Sequence, residues 1–274
     1  MANNLVYIVM DSCRFDSYQA ASTPNMSQIG AVEQRYSYAS WTSPSHYTLL
    51  MGLLPHSSPR GVFASEVYKQ EFTRWVDRLG IPDLSFKNFV PYLSLPKVLQ
   101  ELGYKTTARV SMPVLNQFTT INTHFDDYRL MPNHNDFAGI IDDINFPDDD
   151  PRFYFLNLGE THYPYMLDGS SMPRISGVHG VFNAMDDFML AEADTKAGEF
   201  FDSREMKRLH DQQVSCVEYV DGLVAKLLDK CPSNTHIVIT ADHGELFGEG
   251  GYFGHGPIMH EKCFEVPFLE GACP

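Results

Sequence analysis

The sequence predicts a three-layer α/β/α domain, in which helices cover both faces of a mostly parallel central sheet. Three apolar segments lead to this prediction, at residues 5–11, 152–160 and 235–245. Each is a short apolar run that ends in acidic or histidine-containing residues, as is typical of parallel strands buried on both faces. Because the carboxyl ends of parallel strands lie at one edge of a sheet, we expect the polar residues after these strands to converge.

Segments between these strands have the patterns of helices and of one further strand. Residues 94–106 combine Pro96 near the start, apolar residues at helical spacing and Gly103 as a stop signal, which predicts a helix. Residues 105–111 then have the pattern of a short strand. Residues 203–235 form the longest amphipathic stretch, and its apolar stripe is expected to pack against the sheet. That stripe consists of Val217, Val220, Leu223, Val224, Leu227 and Leu228.

The whole chain, residues 1–274, is expected to form one domain, although two segments, at about 56–92 and 166–202, lack clear periodicity. They are interpreted either as excursions over the crevice, where they would act as a lid, or as ordinary surface loops. Aromatic side chains in the first segment would either pack against other apolar groups or stack on an organic leaving group. They are Phe63, Tyr68, Phe72 and Trp75.

Composition and charge restrict the classes of partner. The 274 residues are 43% hydrophobic, enough for a sizeable core, and the net charge of −15 disfavours binding to nucleic acid or anionic membranes. A small anionic substrate remains compatible, because a bound metal reverses the local sign of the charge. The chain has no CxxC spacing, no leader-like N-terminus and no long apolar span. We therefore expect a soluble cytoplasmic protein with reduced thiols and no membrane segment.

The stretch TADHGELFGEGGYFGHGP, residues 240–257, brings an acid and two imidazoles into one glycine-rich loop after a predicted strand. These groups belong to Asp242, His243 and His255, and the glycines allow the loop to fold back so that all three face one point. Asp11 ends the first predicted strand and would lie at the same edge of the sheet. A lone acid at that position is also typical of a helix cap.

A second stretch, SWTSPSHYTLLMGLLP at residues 40–55, predicts a helix that stops at Gly52. Thr42 and Ser43 lie near the start of this helix, where free N–H groups can hold an anion. A hydroxyl group at that place can act as a nucleophile if a cation lowers its pKa. Taken alone, TSPS is more typical of a helix cap.

Several motifs together indicate a family. In addition to the two stretches above, the chain carries MDSCRFDSY at 10–18, STPNM at 22–26, LGYKT at 102–106, ETHYPY at 160–165 and CFEVPFLEG at 263–271. In this order they resemble the sulfatase-like branch of the alkaline phosphatase superfamily. The resemblance covers nearly the whole chain, from Asp11 to the last motif.

The resemblance implies a metal-dependent site. Asp11, Asp242 and His243 would hold a divalent cation, and Thr42 stands where the family places its nucleophile and would also touch the metal. His162 matches the histidine that grips the anionic group of the substrate or its leaving oxygen. Phosphoethanolamine transferases of the superfamily carry a histidine at the spacing of His255, which implies either a second-metal ligand or a substrate clamp.

The departures from the sulfatase pattern bear on the chemistry. Threonine cannot become formylglycine, so Thr42 argues against ordinary sulfatase activity, and His46 replaces the usual arginine and is a candidate for binding substrate. Ser12 stands where many relatives have a second acid. Arg109 lies near the position of a catalytic lysine and would either bind an anion or form a salt bridge. Glu160 would either bind metal or substrate directly or orient His162. The chain also ends soon after residues 263–271, so the usual C-terminal subdomain is expected to be absent.

The predicted function is a metal-dependent hydrolase of small-molecule phosphate mono- or diesters, through a covalent phospho-threonine intermediate. Two alternatives stay open: a phosphoryl or phosphoethanolamine-type transferase, and a degenerate relative that binds a ligand without turnover. A mixed Asp/His ligand set favours one or two zinc or manganese ions, with magnesium or calcium as further alternatives. His162 or His255 would donate the proton to the leaving group.

Overall fold

The computed structural model describes residues 2–57, 64–85, 94–147, 149–165, 167, 201–256 and 258–274. Nine strands are described: β1 (Asn4–Met10), β2 (Glu33–Tyr36), β3 (Lys105–Val110), β4 (Asp127–Leu130), β5 (Arg152–Leu158), β6 (Thr235–Thr240), β7 (Leu246–Phe247), β8 (Phe253–Gly254) and β9 (Glu265–Ala272). The helices among these residues are α1 (Phe15–Ala20), α2 (Thr42–Leu50), α3 (Ala64–Leu79), α4 (Leu95–Glu101), α5 (Phe137–Asp143) and α6 (Ser203–Lys230).

Seven of these strands form one mixed sheet in the order β2-β9-β6-β1-β5-β3-β4. The central strand β1 pairs in parallel with both β5 and β6, and β3 pairs in parallel with β5 and β4. Only β9 runs against its neighbours β6 and β2 within this sheet. The predicted mostly parallel sheet, with strands at 5–11, 105–111, 152–160 and 235–245, is therefore confirmed. A separate two-stranded hairpin joins β7 and β8.

Strand β1 shows why the fold has three layers. All of its residues are buried, and its side chains alternate between the two faces of the sheet. Leu5 packs in a cluster with α3 and α4, whereas Val6 packs in a second cluster with α5 and α6. The strand is apolar from Leu5 to Met10 because each face of the sheet is covered by helices.

The longest described helix, α6, carries the predicted apolar stripe. Five of its members are buried and Leu228 packs at the edge of the same cluster. Asp202 caps the N-terminus of this helix by accepting a hydrogen bond from the N–H of Arg204. The helix prediction for residues 94–106 is confirmed by α4, which ends before Gly103, where φ is +91°.

The interpretation of residues 56–92 as an excursion over the crevice is wrong for the part that forms α3. This helix lies on one face of the sheet, and Phe72, Trp75 and Leu79 belong to the same core cluster as Leu5. These side chains recur at three- and four-residue spacing, so the helix presents one apolar stripe to the sheet. Phe72 and Trp75 thus pack in the core. The side chains of Phe63 and Tyr68 lie outside the described residues.

The second predicted excursion, at 166–202, lies outside the described residues except for Leu167, Phe201 and Asp202. Within the described part of the chain, no helix is both long and apolar enough to span a membrane. The cytoplasmic location stays a prediction.

Candidate active site

The carboxyl ends of the three central strands bring the predicted site residues together. The register pairs Met10 of β1 with Leu158 of β5, and Val9 with Thr240 of β6. Asp11 and Asp242 therefore emerge from adjacent strands at the same edge of the sheet, as predicted from the sequence. The backbone N–H of Asp11 also donates to the carbonyl of Leu158, at 2.9 Å, which extends the pairing up to the site.

Asp11, Asp242 and His243 form a cluster that can hold a metal ion. One ligand atom of each lies within 4.8 Å of the others, and all three side chains are buried. The Nε2 atom of His243 lies 3.3 Å from Oδ2 of Asp242 and 3.8 Å from Oδ1 of Asp11. His243 Nδ1 faces the carbonyl oxygen of Gly244 at 2.8 Å, and this contact fixes the proton on Nδ1 and leaves the lone pair on Nε2.

The electrostatics of this cluster fit a bound cation. Oδ1 of Asp242 accepts hydrogen bonds from the N–H groups of Ser12 and His243, but Oδ2 is buried and has no hydrogen-bond partner among the described residues. Burial and the neighbouring charge of Asp11 raise the pKa of Asp242 well above its ordinary value. Burial also raises the pKa of Asp11, but His162, His243 and His46 outweigh it and lower the pKa overall. A divalent cation would provide the positive charge and the partner that Oδ2 lacks.

Thr42 brings its hydroxyl group to the same cluster from the first turn of α2. Trp41 before it is extended, so α2 begins at Thr42 itself. The Oγ1 atom lies 3.3 Å from Nε2 of His243 and 3.5 Å from Oδ1 of Asp11. Among the contacts of the described residues, none joins Ser43 to this cluster, so the structure favours Thr42 over Ser43 as the hydroxyl group of the site.

Two further histidines border the cluster. Nε2 of His162 lies 4.0 Å from Oδ1 of Asp11. The ring of His255 lies 4.3 Å from the ring of His243 and 5.1 Å from that of His162, between centroids. Burial lowers the pKa of His162 below its ordinary value. The glycine-rich loop thus folds back as predicted and gathers three imidazoles beside two carboxylates.

His46 does not lie where it could bind substrate, which was the role that the sequence suggested. It is fully buried, with Nδ1 lying 2.8 Å from the carbonyl oxygen of Thr42 and Nε2 lying 3.3 Å from Nδ2 of Asn157. Nδ1 also lies 3.5 Å from Oδ2 of Asp242. Both ring nitrogens therefore face protein atoms, so His46 braces Thr42 from within and is not placed to bind substrate. Burial lowers the pKa of this ring, which keeps it neutral.

Arg109 is also not part of the Asp–His cluster. Its guanidinium pairs with Asp127 at 2.6 Å and with Asp143 at a shorter contact, on the side of the sheet formed by β3 and β4. Two carboxylates neutralise it, so the salt-bridged alternative describes it and the anion-binding one does not. Burial lowers the pKa of Arg109, but the two ion pairs outweigh this effect and raise the pKa above its ordinary value.

Glu160 is buried beside the site but faces the start of α5. Its Oε1 accepts a hydrogen bond of 2.8 Å from the N–H of Phe137, while Oε2 has no partner among the described residues. Burial raises the pKa of Glu160 to about 7. Nδ1 of His162 faces the carbonyl of Tyr163 at 2.6 Å. Glu160 is thus not in the Asp–His cluster. Its described hydrogen bond is to Phe137, and Nδ1 of His162 faces Tyr163 instead of Glu160.

Three buried polar residues that the sequence did not single out hold this arrangement in place. Asn157 donates to Oδ2 of Asp11 at 2.9 Å, and its own Oδ1 accepts from the N–H groups of Ser111 and Met112. Gln213 of α6 donates to the carbonyls of Ser12 and Thr161, both at 2.9 Å. The third, Glu245, lies 3.2 Å from His255. Asn157 is an amide within the apolar strand β5, a signal that would have identified it.

Comparisons with known proteins agree with this architecture. A family model described as Sulfatase matches residues 3–269 of the chain. No curated protein matches the sequence significantly. The fold is similar to that of the C-terminal periplasmic domain of EcEptC from Escherichia coli in complex with zinc, at 16% identity and a TM-score of 0.56, over 99% of this chain and 73% of that one.

Two other solved structures are similar to a comparable degree. The C-terminal periplasmic domain of the phosphoethanolamine transferase EptC from Campylobacter jejuni matches at 14% identity and a TM-score of 0.54, over 98% of this chain and 79% of that one. BT1596, a 2-O GAG sulfatase, matches at 14% identity and a TM-score of 0.59, over 99% of this chain and 64% of that one. At these identities the similarity shows the fold, which is the alkaline-phosphatase and sulfatase-like fold.

Proposed function

Because the chain belongs to the sulfatase family, we propose that it is a metal-dependent hydrolase of small-molecule phosphate mono- or diesters in which Thr42 attacks phosphorus. One observation carries the proposal: the Oγ1 atom of Thr42 lies 3.3 Å from His243 and 3.5 Å from Asp11, within the cluster suited to a cation. Threonine cannot be converted to the formylglycine that sulfatases use, so phosphorus rather than sulfur is the favoured centre.

Each residue has a defined part in this proposal. Asp11, Asp242 and His243 would hold a divalent cation, and their mixed oxygen and nitrogen donors suit zinc or manganese. When bound, the cation would supply Lewis-acid chemistry, neutralising charge on the phosphate and favouring the deprotonated hydroxyl. Thr42, at the start of α2, would attack in line with the leaving group, and the free N–H groups of that helix turn would favour an anion.

The reaction then has two halves. In the first, a bond forms between Oγ1 of Thr42 and phosphorus while the ester bond breaks. His162 or His255 would take the hydroxyl proton of Thr42 and pass it to the departing oxygen. In the second, water attacks the phospho-threonine and restores the free hydroxyl. The side chains of His162 and His255 border the cluster and are 5% and 11% exposed respectively, so either would be in reach of the leaving group.

The test uses two neighbouring hydroxyl groups. The Thr42→Ala variant should lose hydrolysis of an activated aryl phosphate and should yield no phosphorylated peptide by mass spectrometry after a rapid acid quench. The Ser43→Ala variant is the matched control and should keep both. Full activity in the threonine variant would refute the proposal. Elemental analysis of the purified protein should give one or two divalent ions, predominantly zinc or manganese, per chain.

A transferase is the second candidate function, supported by the similarity to phosphoethanolamine transferase domains. It uses the same first half-reaction, and an alcohol replaces water in the second. Partitioning separates the two functions: with rising concentrations of an alcohol acceptor, a transferase yields mainly the new ester, whereas a hydrolase continues to release phosphate. A protein that binds metal but turns over neither mono- nor diesters would be the degenerate relative.

A further inference from the structure

A buried carboxylate lies behind His255. Glu245 is 1% exposed, and its Oε1 lies 3.2 Å from Nδ1 of His255. Its Oε2 accepts a short hydrogen bond from the hydroxyl of Tyr165, which is itself fully buried. A chain of three side chains, Tyr165–Glu245–His255, thus runs from the interior to the edge of the candidate active site.

The small hairpin of β7 and β8 fixes this chain. Leu246 pairs with Gly254 and Phe247 pairs with Phe253, so the residue before β7 and the residue after β8 lie opposite each other. These two residues are Glu245 and His255. The backbone carbonyl of Glu245 is also held by the guanidinium of Arg14, at 3.3 Å. The pairing therefore brings the backbones of the two residues together, and their side chains meet at 3.2 Å.

Both carboxylate oxygens have a donor, which makes a buried acid tolerable. Burial, followed by the charge of Glu245, raises the pKa of Tyr165 well above its ordinary value, so the phenol keeps its proton and donates it. On the other side, a carboxylate can only accept, so Nδ1 of His255 must carry a proton. The other nearby oxygen, Oγ of Ser12, lies 3.4 Å from Nδ1 and donates to Asp11.

A proton on Nδ1 leaves the lone pair of His255 on Nε2. That nitrogen can then bind an ion or take part in proton transfer, whereas the opposite tautomer would present an N–H. We infer that Glu245, anchored by Tyr165, is a positioning residue that fixes the tautomer and ring orientation of His255. The effect on turnover rests on the proposed function, while the tautomer itself does not.

The primary test is spectroscopic. Long-range proton–nitrogen correlation spectra of the protein, labelled with nitrogen-15 histidine and freed of metal with a chelator, distinguish the two tautomers of His255. The wild-type ring should be in the Nδ1–H form. Glu245→Ala should shift it toward a mixture or the Nε2–H form, and Glu245→Gln, which keeps an accepting oxygen, should give an intermediate result. An unchanged tautomer in the alanine variant would overturn the inference.

Glu249 offers a matched control on the same loop. It is the next acid along the chain, and it pairs with Arg14 at 2.6 Å rather than with a histidine. Glu249→Gln should leave the tautomer of His255 unchanged. If the alanine variant does not fold, Tyr165→Phe keeps the test open, because it removes only the hydroxyl that anchors Glu245 and should shift the tautomer in the same direction by a smaller amount.

Kinetics then connect the tautomer to the reaction. Removal of a partner that orients an active-site histidine is expected to lower turnover of the aryl phosphate by about 10- to 100-fold. The double variant Glu245→Ala/His255→Ala should be no slower than His255→Ala alone, since Glu245 acts through that ring. Additive losses would overturn the inference. If the wild-type protein shows no turnover, the proposed function fails, but the tautomer measurement still decides the role of Glu245.

Discussion

The Nδ1 atom of His46 lies 2.8 Å from the carbonyl oxygen of Thr42, one helical turn earlier in α2. The same ring reaches Asn157, whose amide holds Asp11. His46 therefore links the candidate nucleophile to a candidate metal ligand through hydrogen bonds inside the protein. The position taken by arginine in sulfatases is here filled by a group that carries no charge when buried.

Replacing His46 with alanine should affect both stability and activity. The change removes a fully buried ring and leaves the amide of Asn157 without one of its partners, so the free energy of unfolding should fall by about 2–4 kcal/mol. Turnover should also fall, because Thr42 loses the contact that fixes the first turn of α2. Urea denaturation and steady-state kinetics measure the two effects.

Tyr47, the next residue along α2, provides the control. It is 41% exposed, and its hydroxyl contacts Thr120 at 2.7 Å on the outer side of the helix. Tyr47→Phe should change the free energy of unfolding by less than about 1 kcal/mol and leave turnover near that of the wild type. A turnover rate in His46→Ala equal to that of this control would contradict the bracing role.

The two candidate metal-binding carboxylates should respond in opposite ways to neutralisation. In metal-free protein, Asp242→Asn removes a buried charge whose Oδ2 lacks a partner, and its new amide can donate to Nε2 of His243, 3.3 Å away. Because burial and the charge of Asp11 raise the pKa of Asp242, removing this carboxylate should increase the free energy of unfolding. Stabilisation by added zinc should disappear.

Asp11→Asn is the matched comparison. Its carboxylate accepts from the amide of Asn157 on one side and from the hydroxyls of Ser12 and Thr42 on the other. An amide in its place would set N–H against one of these donors, so the metal-free protein should be destabilised by about 1–3 kcal/mol. Thermal unfolding with chelator and with zinc measures both variants. A loss of metal-free stability in Asp242→Asn would argue against an unpartnered carboxylate.

The raised pKa of Glu160 should make the free energy of unfolding depend on pH. Burial raises its pKa to about 7, against 4.5 as the ordinary value. Between these values the folded protein holds a proton that the unfolded chain has released, so stability falls as the pH rises from about 4.5 to 7, and the loss is complete above that range. A shift of this size corresponds to about 3 kcal/mol.

The variant Glu160→Gln should remove this dependence, because the amide keeps an oxygen for the N–H of Phe137 and has no charge to gain. Its free energy of unfolding should therefore exceed that of the wild type at pH 8 and match it near pH 4. Glu101→Gln, at an exposed position at the end of α4, is the control and should follow the wild-type curve. Parallel curves for wild type and Glu160→Gln would contradict the raised pKa.

The sequence correctly predicted the positions of those site residues that directly follow a strand. Asp11 and Asp242 follow continuous apolar runs, and the parallel pairing of β1 and β6 brings them together. Helix α3 was missed, although its apolar residues recur at helical spacing, since prolines on either side made the segment look irregular. The role of Arg109 depended on Asp127 and Asp143, which lie 18 and 34 residues further along the chain.

Buried polar contacts could not be predicted in the same way. Whether an amide on a helix is solvated or serves as a bridge depends on what packs against it, and Gln213 looks in sequence like any other polar residue of α6. In the structure it is fully buried and joins two loops that the chain separates by nearly 150 residues, as the contact between Thr161 and Asp11 also does.

Replacement of Gln213 tests how far the site depends on this bridge. The amide donates to the carbonyls of Ser12 and Thr161, and its oxygen lies 3.4 Å from the N–H of Arg14. Gln213→Leu keeps a similar volume but leaves these buried groups unpaired, so the free energy of unfolding should fall by about 2–4 kcal/mol. Gln213→Glu should be worse, because a carboxylate would face two carbonyl oxygens.

The same replacement of Gln213 should also weaken zinc binding. Ser12 has a φ of +60°, a conformation that residues other than glycine adopt only when their surroundings hold them, and its N–H is one of the donors to Asp242. Once the bridge is lost, this turn should relax and weaken zinc binding, measured by competition with a chelating dye. Gln28→Leu, at an exposed position, is the control and should leave zinc affinity unchanged. Wild-type zinc affinity in a folded Gln213→Leu variant would show that the metal ligands hold their places without the helix behind them.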